Sequence, residues 1–370
     1  MTNLWKFIIY SFAFFGIDVP LKKRNRMRGA FKKCLRMFWD ATAISFFIIL
    51  FFNCIRGTVK VFYVHISDVF LLYGLRVVLF TRIKNISACY KNTSCFLQLF
   101  SLKREKIVMF LFQIYCFAQI CRATANQVRM VNSKIINLLE EGFSFNFSYN
   151  GNAVFRVFLN FSLNCATLYH DLLPFLTTIM CCSIYICTQQ MISNFNRKIH
   201  MFVINKPSPD IIMNLGKELL KIKEMAKEIN QLLSPIIFIL VGFWVTNICY
   251  TISKIIFRPI YFASNFATCM AFLNLLCHIC EFITLVVLAA NIEDEIIESK
   301  NFLFKFPARN DGNMFDIGSI QLFALMLDNT REEISVTALG MFKLDRGIIL
   351  VVLGIIATYE VIIIQMLMNI

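Results

Sequence analysis

The sequence predicts an all-α membrane protein with seven transmembrane helices. The first observation is composition: of 370 residues, 58% are hydrophobic and only 16% are charged. A soluble domain is about 45–50% apolar and about 25% charged. The second observation is a series of apolar runs of membrane-spanning length, and the third is an uneven distribution of Lys and Arg between them. This much apolar surface needs lipid around it, which excludes a soluble enzyme.

The chain begins with an apolar stretch, Phe7–Ile17, that is too short to span about 30 Å of hydrocarbon as a helix. A cluster of basic residues follows between Lys22 and Arg36 and resists translocation. We therefore expect a helix that lies at the cytoplasmic interface. Seven longer apolar runs each predict one transmembrane helix: 41–57, 61–81, a run that begins at Ile107, 165–188, 235–256, 261–290 and 348–368.

The basic residues predict the orientation of these helices. Of the 37 Lys and Arg, 28 lie in segments 1–40, 82–106, 188–234 and 291–347, eight lie in the alternate segments, and Arg76 lies within a span. Because positive charge accumulates on the cytoplasmic side, the N-terminus is expected inside and the C-terminus outside. This is the reverse of a G-protein-coupled receptor. The sequons at Asn146 and Asn160 then face outward, where glycosylation is permitted.

No pattern in the sequence predicts catalysis or metal binding. The chain has no Gly-rich phosphate loop, no HExxH and no GxSxG, and its four His have no ligand spacing. Cys277 and Cys280 form a CxxC within an apolar run, where helix packing is the better interpretation. We expect no catalytic residue, no cofactor and no metal. The net charge of +14 follows membrane orientation, so no nucleic-acid partner is expected.

The segment before the last span is expected to be cytoplasmic. Residues 318–342 are too polar to span a membrane but show helical apolar spacing, which predicts an amphipathic helix that packs on other helices. Residues 343–346 then connect this helix directly to the last span. An acidic cluster just after the sixth span is interpreted as a solvated helix face rather than an ion site; it comprises Glu293, Asp294, Glu295 and Glu298.

Polar residues at membrane depth mark the last span. Thr358 and Gln365 are two helical turns apart and share a face with Ile362, whereas Glu360 points about 200° away from Thr358. Polar groups inside a membrane usually face a bundle interior or a water-filled path. Two interpretations stay open on these grounds: a pore face, or interhelical hydrogen bonds that hold the bundle together.

The same residues resemble a known family. Thr358-Tyr359, five residues and Gln365 are similar to the terminal TYhhhhhQF signature of insect gustatory receptors. Residues 338–345 are similar to the Gly-x-Phe-x-Leu-Asp sequence that precedes the last helix in that family. Met366 stands where the family usually has Phe, and Glu360 replaces an apolar residue. Glu360 then either attracts cations to the conduction path or is neutral and buried against neighbouring helices.

The resemblance implies a ligand-gated non-selective cation channel, assembled as a homotetramer or as a heterotetramer with other gustatory receptors. It places Gln365 and Met366 near an outer gate, with Thr358 and Tyr359 deeper on the same helix. It also implies a small-molecule tastant bound among the second to sixth spans. Polar and aromatic residues expected at outward depth are the candidates for that site: Tyr169, His170, Trp244, Asn247, Tyr250, Tyr261, Asn265 and Thr268.

These expectations divide the chain into four parts: a cytoplasmic N-terminal segment with an interfacial helix (1–40), a ligand-binding bundle of six transmembrane helices (41–292), a cytoplasmic loop with an amphipathic anchor helix (293–347) and a pore-lining helix (348–370). The expected location is the plasma membrane of chemosensory neurons, surrounded by lipid. A bitter compound is favoured over a sugar or a contact pheromone. The alternatives are a G-protein-coupled receptor, which the orientation opposes, and a transporter, for which no internal repeat is visible.

Overall fold

The computed structural model describes residues 3–17, 33–42, 44, 62–96, 153–204, 209–256, 265–305 and 334–368. Nearly all of these residues are helical, which confirms the all-α class. The exception is a two-stranded antiparallel hairpin that directly precedes the last helix. The elements are α1 (Asn3–Phe14), α2 (33–42), α3 (Phe62–Phe96), α4 (Ala153–Ile204), α5 (Pro209–Ile256), α6 (Asn265–Lys305), β1 (Thr337–Ala338), β2 (Phe342–Lys343) and α7 (Gly347–Met368).

Three helices are much longer than a membrane is thick. Helix α4 has 52 residues, α5 has 48 and α6 has 41, whereas about 20 residues cross the hydrocarbon core. The segments expected between spans, such as 188–234, are therefore largely continuations of the helices rather than loops. They form a helical layer beyond the apolar stretches, and the hairpin lies against this layer through Asn230 of α5.

Within the described part of the chain, four helices are long and apolar enough to cross a membrane: Tyr169–Met201, Asn214–Ile256, Thr268–Glu298 and Gly347–Gln365. They contain the fourth to seventh expected spans in whole or large part. Helix α3 contains most of the second. The third expected span and nearly all of the first lie outside the described residues.

Helix α1 is a packed element. Trp5, Ile8 and Phe12 lie along one face and are buried. The Trp5 ring stacks on Tyr90 of α3 at a centroid distance of 3.8 Å. Tyr10 and Phe14 stay exposed on the other side. The expected interfacial helix therefore has one face bound to the protein, and only the remaining face is available for lipid.

Arg76, the basic residue within a predicted span, is buried and fully engaged. Its guanidinium forms an ion pair with Asp40 at 2.8 Å and lies 3.4 Å from the Tyr169 hydroxyl, which accepts a hydrogen bond from it. Its charge is therefore neutralised by Asp40, as burial in a membrane protein requires. This pair joins α2, α3 and α4 at one point.

A proline inside α5 explains another contact between helices. Pro235 has no N–H, so the carbonyl of Gln231 one turn earlier has no donor within the helix. Arg82 of α3 donates to that carbonyl at 2.6 Å. The guanidinium thus replaces the missing hydrogen bond and ties α3 to α5 at the proline. Pro235 thus lies inside a continuous helix.

Candidate pore helix and ligand site

The chain leaves helical geometry after Ile334, so the predicted amphipathic helix is wrong for residues 335–342. Residues 318–333 lie outside the described part. Thr337 pairs with Lys343 and Ala338 with Phe342. Two consecutive residues in the turn, Leu339 and Gly340, have φ of 52° and 69°. Such left-handed geometry ends a helix and is easiest for glycine, which explains the hairpin at this position.

The sequence that precedes α7 has a structural role at each position. Gly340 supplies the turn, Phe342 packs against Phe238 of α5, and Leu344 is buried. Asp345 is the N-cap of α7, because its Oδ1 accepts hydrogen bonds from the amides of Gly347 at 2.8 Å and Ile348 at 3.2 Å. The Gly-x-Phe-x-Leu-Asp pattern therefore fixes where the last helix starts.

Helix α5 holds the hairpin with side-chain hydrogen bonds. The side-chain oxygen of Asn230, Oδ1, accepts a hydrogen bond from the backbone amide of Thr337 at 3.0 Å. Its side-chain nitrogen, Nδ2, donates to the backbone carbonyl of Ser335 at 3.2 Å. One turn later, Ser234 accepts a hydrogen bond from the Leu339 amide. A two-residue strand pair is too short to be stable by itself. Its position therefore depends on α5.

Helix α6 holds the connection between β2 and α7 with ion pairs. Lys343 lies 2.6 Å from Glu293, and Arg346 lies 2.7 Å from Asp294. Glu295 accepts hydrogen bonds from Gln189 and Asn196 of α4. The interpretation of this acidic cluster as a solvated face is therefore wrong for Glu293, which is buried, whereas Asp294 is exposed as that interpretation expects. All three carboxylates connect α6 to other elements. The described residues contain no group of three or more potential ligands that would hold a metal ion.

Helix α7 packs poorly on its own subunit. Only 17% of the residues in its apolar stretch are buried, compared with 72% in α4. Its buried positions, Val352, Ile356 and Glu360, follow one another at intervals of four and form a single stripe against α5 and α6. The remainder of the helix is an apolar surface that a second subunit or lipid must cover.

The exposed side of α7 carries the residues expected to share a face. Thr358 is exposed and donates to the Gly354 carbonyl of its own helix, and Ile362 and Gln365 are exposed as well. Tyr359 is half-buried against the core. Met366 lies in the last turn of α7. The pore role of these residues stays a prediction that their exposure supports.

Glu360 points away from this face and is 8% exposed. Its two carboxyl oxygens lie 3.2 and 3.4 Å from Ser253 Oγ of α5. The sequence left two roles open for Glu360: attracting cations to the conduction path, or burial against a neighbouring helix. In the structure, Glu360 is buried against α5. Its carboxyl is not on the face that carries Thr358 and Gln365.

Two of the candidate ligand residues, His170 and Trp244, take part in neighbouring contacts between α4, α5 and α6. The His170 ring of α4 lies 5.1 Å from the Phe243 ring of α5. The adjacent Trp244 is completely buried and donates through Nε1 to Glu281 of α6 at 3.1 Å. The ring of His278, one turn before Glu281, lies 6.0 Å from the Phe243 ring as well. Two aromatic rings, two imidazoles and a carboxylate thus surround one junction of three helices.

His170 carries the polar feature in this junction that points to a ligand. Its Nδ1 lies 2.9 Å from the Asp171 carboxylate, while its Nε2 is buried and has no hydrogen-bond partner among the described residues. A buried polar atom in that state calls for an explanation such as a bound molecule or water.

The other candidates lie elsewhere or have different neighbours. Tyr169 stacks on Trp39 at 5.4 Å and faces α2 and α3 rather than the junction. Asn247 is buried and donates to the carbonyl of its own helix at residue 243. Tyr250 lies under the Lys254 ammonium at 3.7 Å. Thr268 is buried near the start of α6, and Asn265 is the first residue of that helix. Tyr261 lies outside the described residues.

Four residues at the junction were not predicted as ligand contacts, although the sequence contained a signal for two of them: Phe243, His278, Asp171 and Glu281. Asp171 and Glu281 are carboxylates inside apolar runs, and intramembrane ionisable residues are usually functional. That argument was applied to Glu360 but applies equally to them. His278 lies between the two cysteines of the CxxC, and nothing in the sequence indicates that it faces Phe243.

The structure bears differently on the two expected glycosylation sites. Asn146 lies outside the described residues. Asn160 lies within the first turns of α4, whereas a sequon is normally used where the chain forms a surface loop. Modification at Asn160 stays a prediction, and the helical backbone counts against it.

Comparison with known proteins adds two findings. A family described as Trehalose receptor matches residues 91–369. Among solved structures, the chain is similar to the insect olfactory receptor OR5 from Machilis hrabei in complex with eugenol, with a TM-score of 0.64, 12% identity, and coverage of 98% of this chain and 99% of that one. A second structure of OR5 gives the same TM-score and identity with coverage of 97% and 96%. At 12% identity this similarity shows the fold alone. No curated protein matches.

The fold similarity confirms the seven-helix architecture expected from the sequence, and the apolar helices make this a multi-pass membrane protein. The family match extends over most of the chain and includes every residue of the hairpin and all but the last residue after it. The resemblance noted in the sequence is thereby confirmed, and an enzymatic role is excluded by the family. The protein belongs to the trehalose receptor family of insect gustatory receptors.

Proposed function

We propose that this protein is a subunit of a ligand-gated, non-selective cation channel that detects a small-molecule tastant at the plasma membrane of chemosensory neurons. The observation that carries the proposal is the last helix. It is apolar and long enough to cross the membrane, yet 17% of that stretch is buried in its own subunit. Family membership makes a chemoreceptor channel the function for which such a helix is suited. Four copies, in a homotetramer or a heterotetramer, would surround one conduction path with their α7 helices.

In this arrangement the face with Thr358, Ile362 and Gln365 lines the path, and Gln365 with Met366 forms the outer gate. The exposed polar groups of Thr358 and Gln365 support that assignment. The hairpin and its contacts with α5 and α6 then transmit movement, because both helices also contribute to the ligand junction. A shift of α5 against α6 would change the start of α7 directly.

The ligand site proposed here is the junction of His170, Trp244 and Glu281, with the unpartnered His170 Nε2 as one anchor. Aromatic walls beside carboxylate and imidazole groups are suited to a ligand that is rich in hydroxyl groups. The sequence alone favoured a bitter compound. The name of the matched family is a reason to place trehalose and other sugars first and bitter plant compounds second.

Two measurements test the function. A tag after Ile370 should bind antibody on intact cells, because the C-terminus is expected outside; permeabilised cells serve as the control. Whole-cell recording in the same cells, with trehalose, other sugars and a panel of bitter compounds, should then give a cation current. Binding of the antibody only after permeabilisation, with surface delivery established separately, would contradict the channel and favour a receptor that couples to G proteins.

His170→Ala adds a residue-level test of the ligand site. We expect a higher half-maximal ligand concentration with an unchanged reversal potential, because His170 lies on α4 against Phe243 and not on the helix proposed to line the pore. Tyr169→Phe is the matched control: this neighbour loses only the hydroxyl that accepts from Arg76. Equal shifts in both variants would assign the effect to packing of α4 rather than to ligand contact.

A further inference from the structure

We propose that Glu360 is a neutral, hydrogen-bonding residue that holds α7 against α5 in the ligand-free channel and so sets how readily the channel opens. The inference rests on the proposed function and adds a positioning residue to it. Glu360 departs from the apolar residue usual at its position in the resemblance noted above. The structure gives it a specific partner, Ser253.

The contact with Ser253 is exceptional on α7. Among the described residues, Glu360–Ser253 is the only polar side-chain contact between α7, beyond its first turn, and another element. The hydroxyl of Thr358 bonds within its own helix. The other buried positions on the stripe, Val352 and Ile356, contribute apolar contacts only. Because α7 buries so little of its surface, this hydrogen bond adds a specific attachment to a small apolar contact.

The hydrogen inventory of the contact indicates that the carboxyl is protonated. Ser253 Oγ carries one hydrogen, and this hydroxyl is placed to donate to the Cys249 carbonyl at 2.9 Å. The two carboxyl oxygens of Glu360 lie further away, at 3.2 and 3.4 Å. With the serine hydrogen used within α5, the hydrogen between the two side chains comes from the carboxyl. A neutral Glu360 then donates to Ser253.

The surroundings agree with a neutral carboxyl. Glu360 is 8% exposed and makes no ion pair among the described residues. The neighbouring titratable groups on α5 and α7 are Cys249, Tyr359, Tyr250 and Lys254, and the ammonium of Lys254 lies over the Tyr250 ring at 3.7 Å instead of at Glu360. An unpaired carboxylate at such a position would be expensive, whereas a carboxylic acid is tolerated.

The location of Ser253 links this bond to the ligand junction. Ser253 lies nine residues after Trp244 on α5, about 14 Å along the helix. Trp244 contacts Glu281 at the junction. A ligand that moves this part of α5 therefore also moves Ser253, the partner of Glu360. The movement changes how closely α7 is held to α5.

The test compares conservative and disruptive variants. Glu360→Gln keeps a neutral donor of the same size, whereas Glu360→Leu and Ser253→Ala remove the hydrogen bond. The matched control is Ser183→Ala, because Ser183 is buried on α4 and its hydroxyl also donates to the carbonyl four residues earlier, at 2.7 Å. All variants, and the Glu360→Leu/Ser253→Ala double variant, are recorded for current without ligand, ligand response and reversal potential.

Loss of one hydrogen bond between membrane helices changes the equilibrium between closed and open states about threefold per subunit. If four subunits open together, the change for the whole channel is roughly 80-fold. We therefore expect Glu360→Leu and Ser253→Ala to raise the current without ligand and to lower the half-maximal ligand concentration about threefold. Glu360→Gln and Ser183→Ala should resemble the wild type. The double variant should equal either single variant, because the bond can be lost only once.

Three results would overturn the inference. Glu360→Gln with the phenotype of Glu360→Leu would show that the carboxylate charge matters. A reversal potential altered by Glu360→Gln would place that charge in the conduction path. Additive effects in the double variant would show that the two side chains do not interact.

A second measurement does not need current. Thermal unfolding of the purified protein in detergent gives the same cycle of single and double variants. If none of the tested ligands elicits a current from the wild type, the proposed function fails. The hydrogen bond is then judged by thermal unfolding alone. Non-additive melting shifts with a wild-type value for Glu360→Gln would support the bond, and additive shifts would contradict it.

Discussion

Replacing Asn230 with Ala should release the hairpin from α5 while leaving the helices intact. Asn230 accepts from the Thr337 amide at 3.0 Å and donates to the Ser335 carbonyl at 3.2 Å. Each hydrogen bond contributes about 1 kcal/mol, and a partly buried backbone group left without its partner adds a similar cost. The total is roughly 2–3 kcal/mol, which corresponds to about 30- to 150-fold more frequent local opening.

Hydrogen exchange measured by mass spectrometry reports this opening directly. The amides of Met341 and Leu344 close the hairpin through bonds to Ala338 and Val336, both at 2.9 Å. Their exchange in the Asn230→Ala variant should accelerate by the factor given above. The current response to ligand should weaken, because α7 is then less firmly connected to α5.

Asn196→Ala is the matched control for this experiment. Asn196 also reaches from one helix to another element through its amide, which donates to the Glu295 carbonyl at 2.8 Å. Its loss should destabilise the α4–α6 contact without changing exchange in the hairpin. Unchanged exchange at Met341 and Leu344 in Asn230→Ala, or equal acceleration in both variants, would refute the conclusion that α5 fixes the hairpin.

Three further expectations concern the same region and α7. Arg82→Ala should lower the melting temperature by several degrees, because the Gln231 carbonyl beside the proline loses its donor; an unchanged melting temperature would contradict that role. Lys343→Glu should weaken the ligand response, and addition of Glu293→Lys should restore most of it if the 2.6 Å ion pair carries the effect; this half-exposed pair is worth about 1 kcal/mol at most. Gln365→Ala should change cation permeability ratios with a nearly constant half-maximal ligand concentration, measured by ion substitution; constant ratios would remove Gln365 from the conduction path.

The sequence predicted the membrane architecture because composition and run length are local properties. An apolar run such as 348–368 needs no partner to be recognised, and α7 covers Gly347–Met368. The opposite orientation of Glu360 and Thr358 was also predictable, since a helix of 3.6 residues per turn fixes which side chains share a face. What lies next to each face depends on tertiary contacts that periodicity does not contain.

The hairpin shows where pattern reading failed. Ile334, Val336 and Ala338 are buried apolar residues spaced two positions apart, which is the spacing of one face of a strand. Helical spacing of the apolar residues before them was extended too far, although Val336 and Thr337 are β-branched and Gly340 interrupts a helix. The strand signal was present but covers only a few residues. Short elements of this kind are fixed by their neighbours, here Asn230 and Ser234 of α5.

Partners separated by more than 100 residues were beyond the reach of the sequence. Ser253 is 107 residues from Glu360, and both Asn230 and Thr337 are polar residues of an ordinary kind. The acidic cluster illustrates the same limit: Glu293 was expected on a solvated face, but it is buried and paired with Lys343. Charge pattern identifies candidates for pairing, and only the fold selects the pairs.

The contacts of α7 together explain how a helix so little packed in its own subunit can still respond to that subunit. Its first turn is capped by Asp345 and fixed laterally through Arg346 and Lys343. About 20 Å further along, Glu360 provides a second attachment to α5. Between and beyond these points the helix presents an apolar surface. In the proposed channel, movement of α5 and α6 would therefore be delivered at two defined positions, while the exposed face would stay available to neighbouring subunits. More extensive packing on its own bundle would make α7 steadier, but a larger part of that packing would have to be broken each time the channel opens.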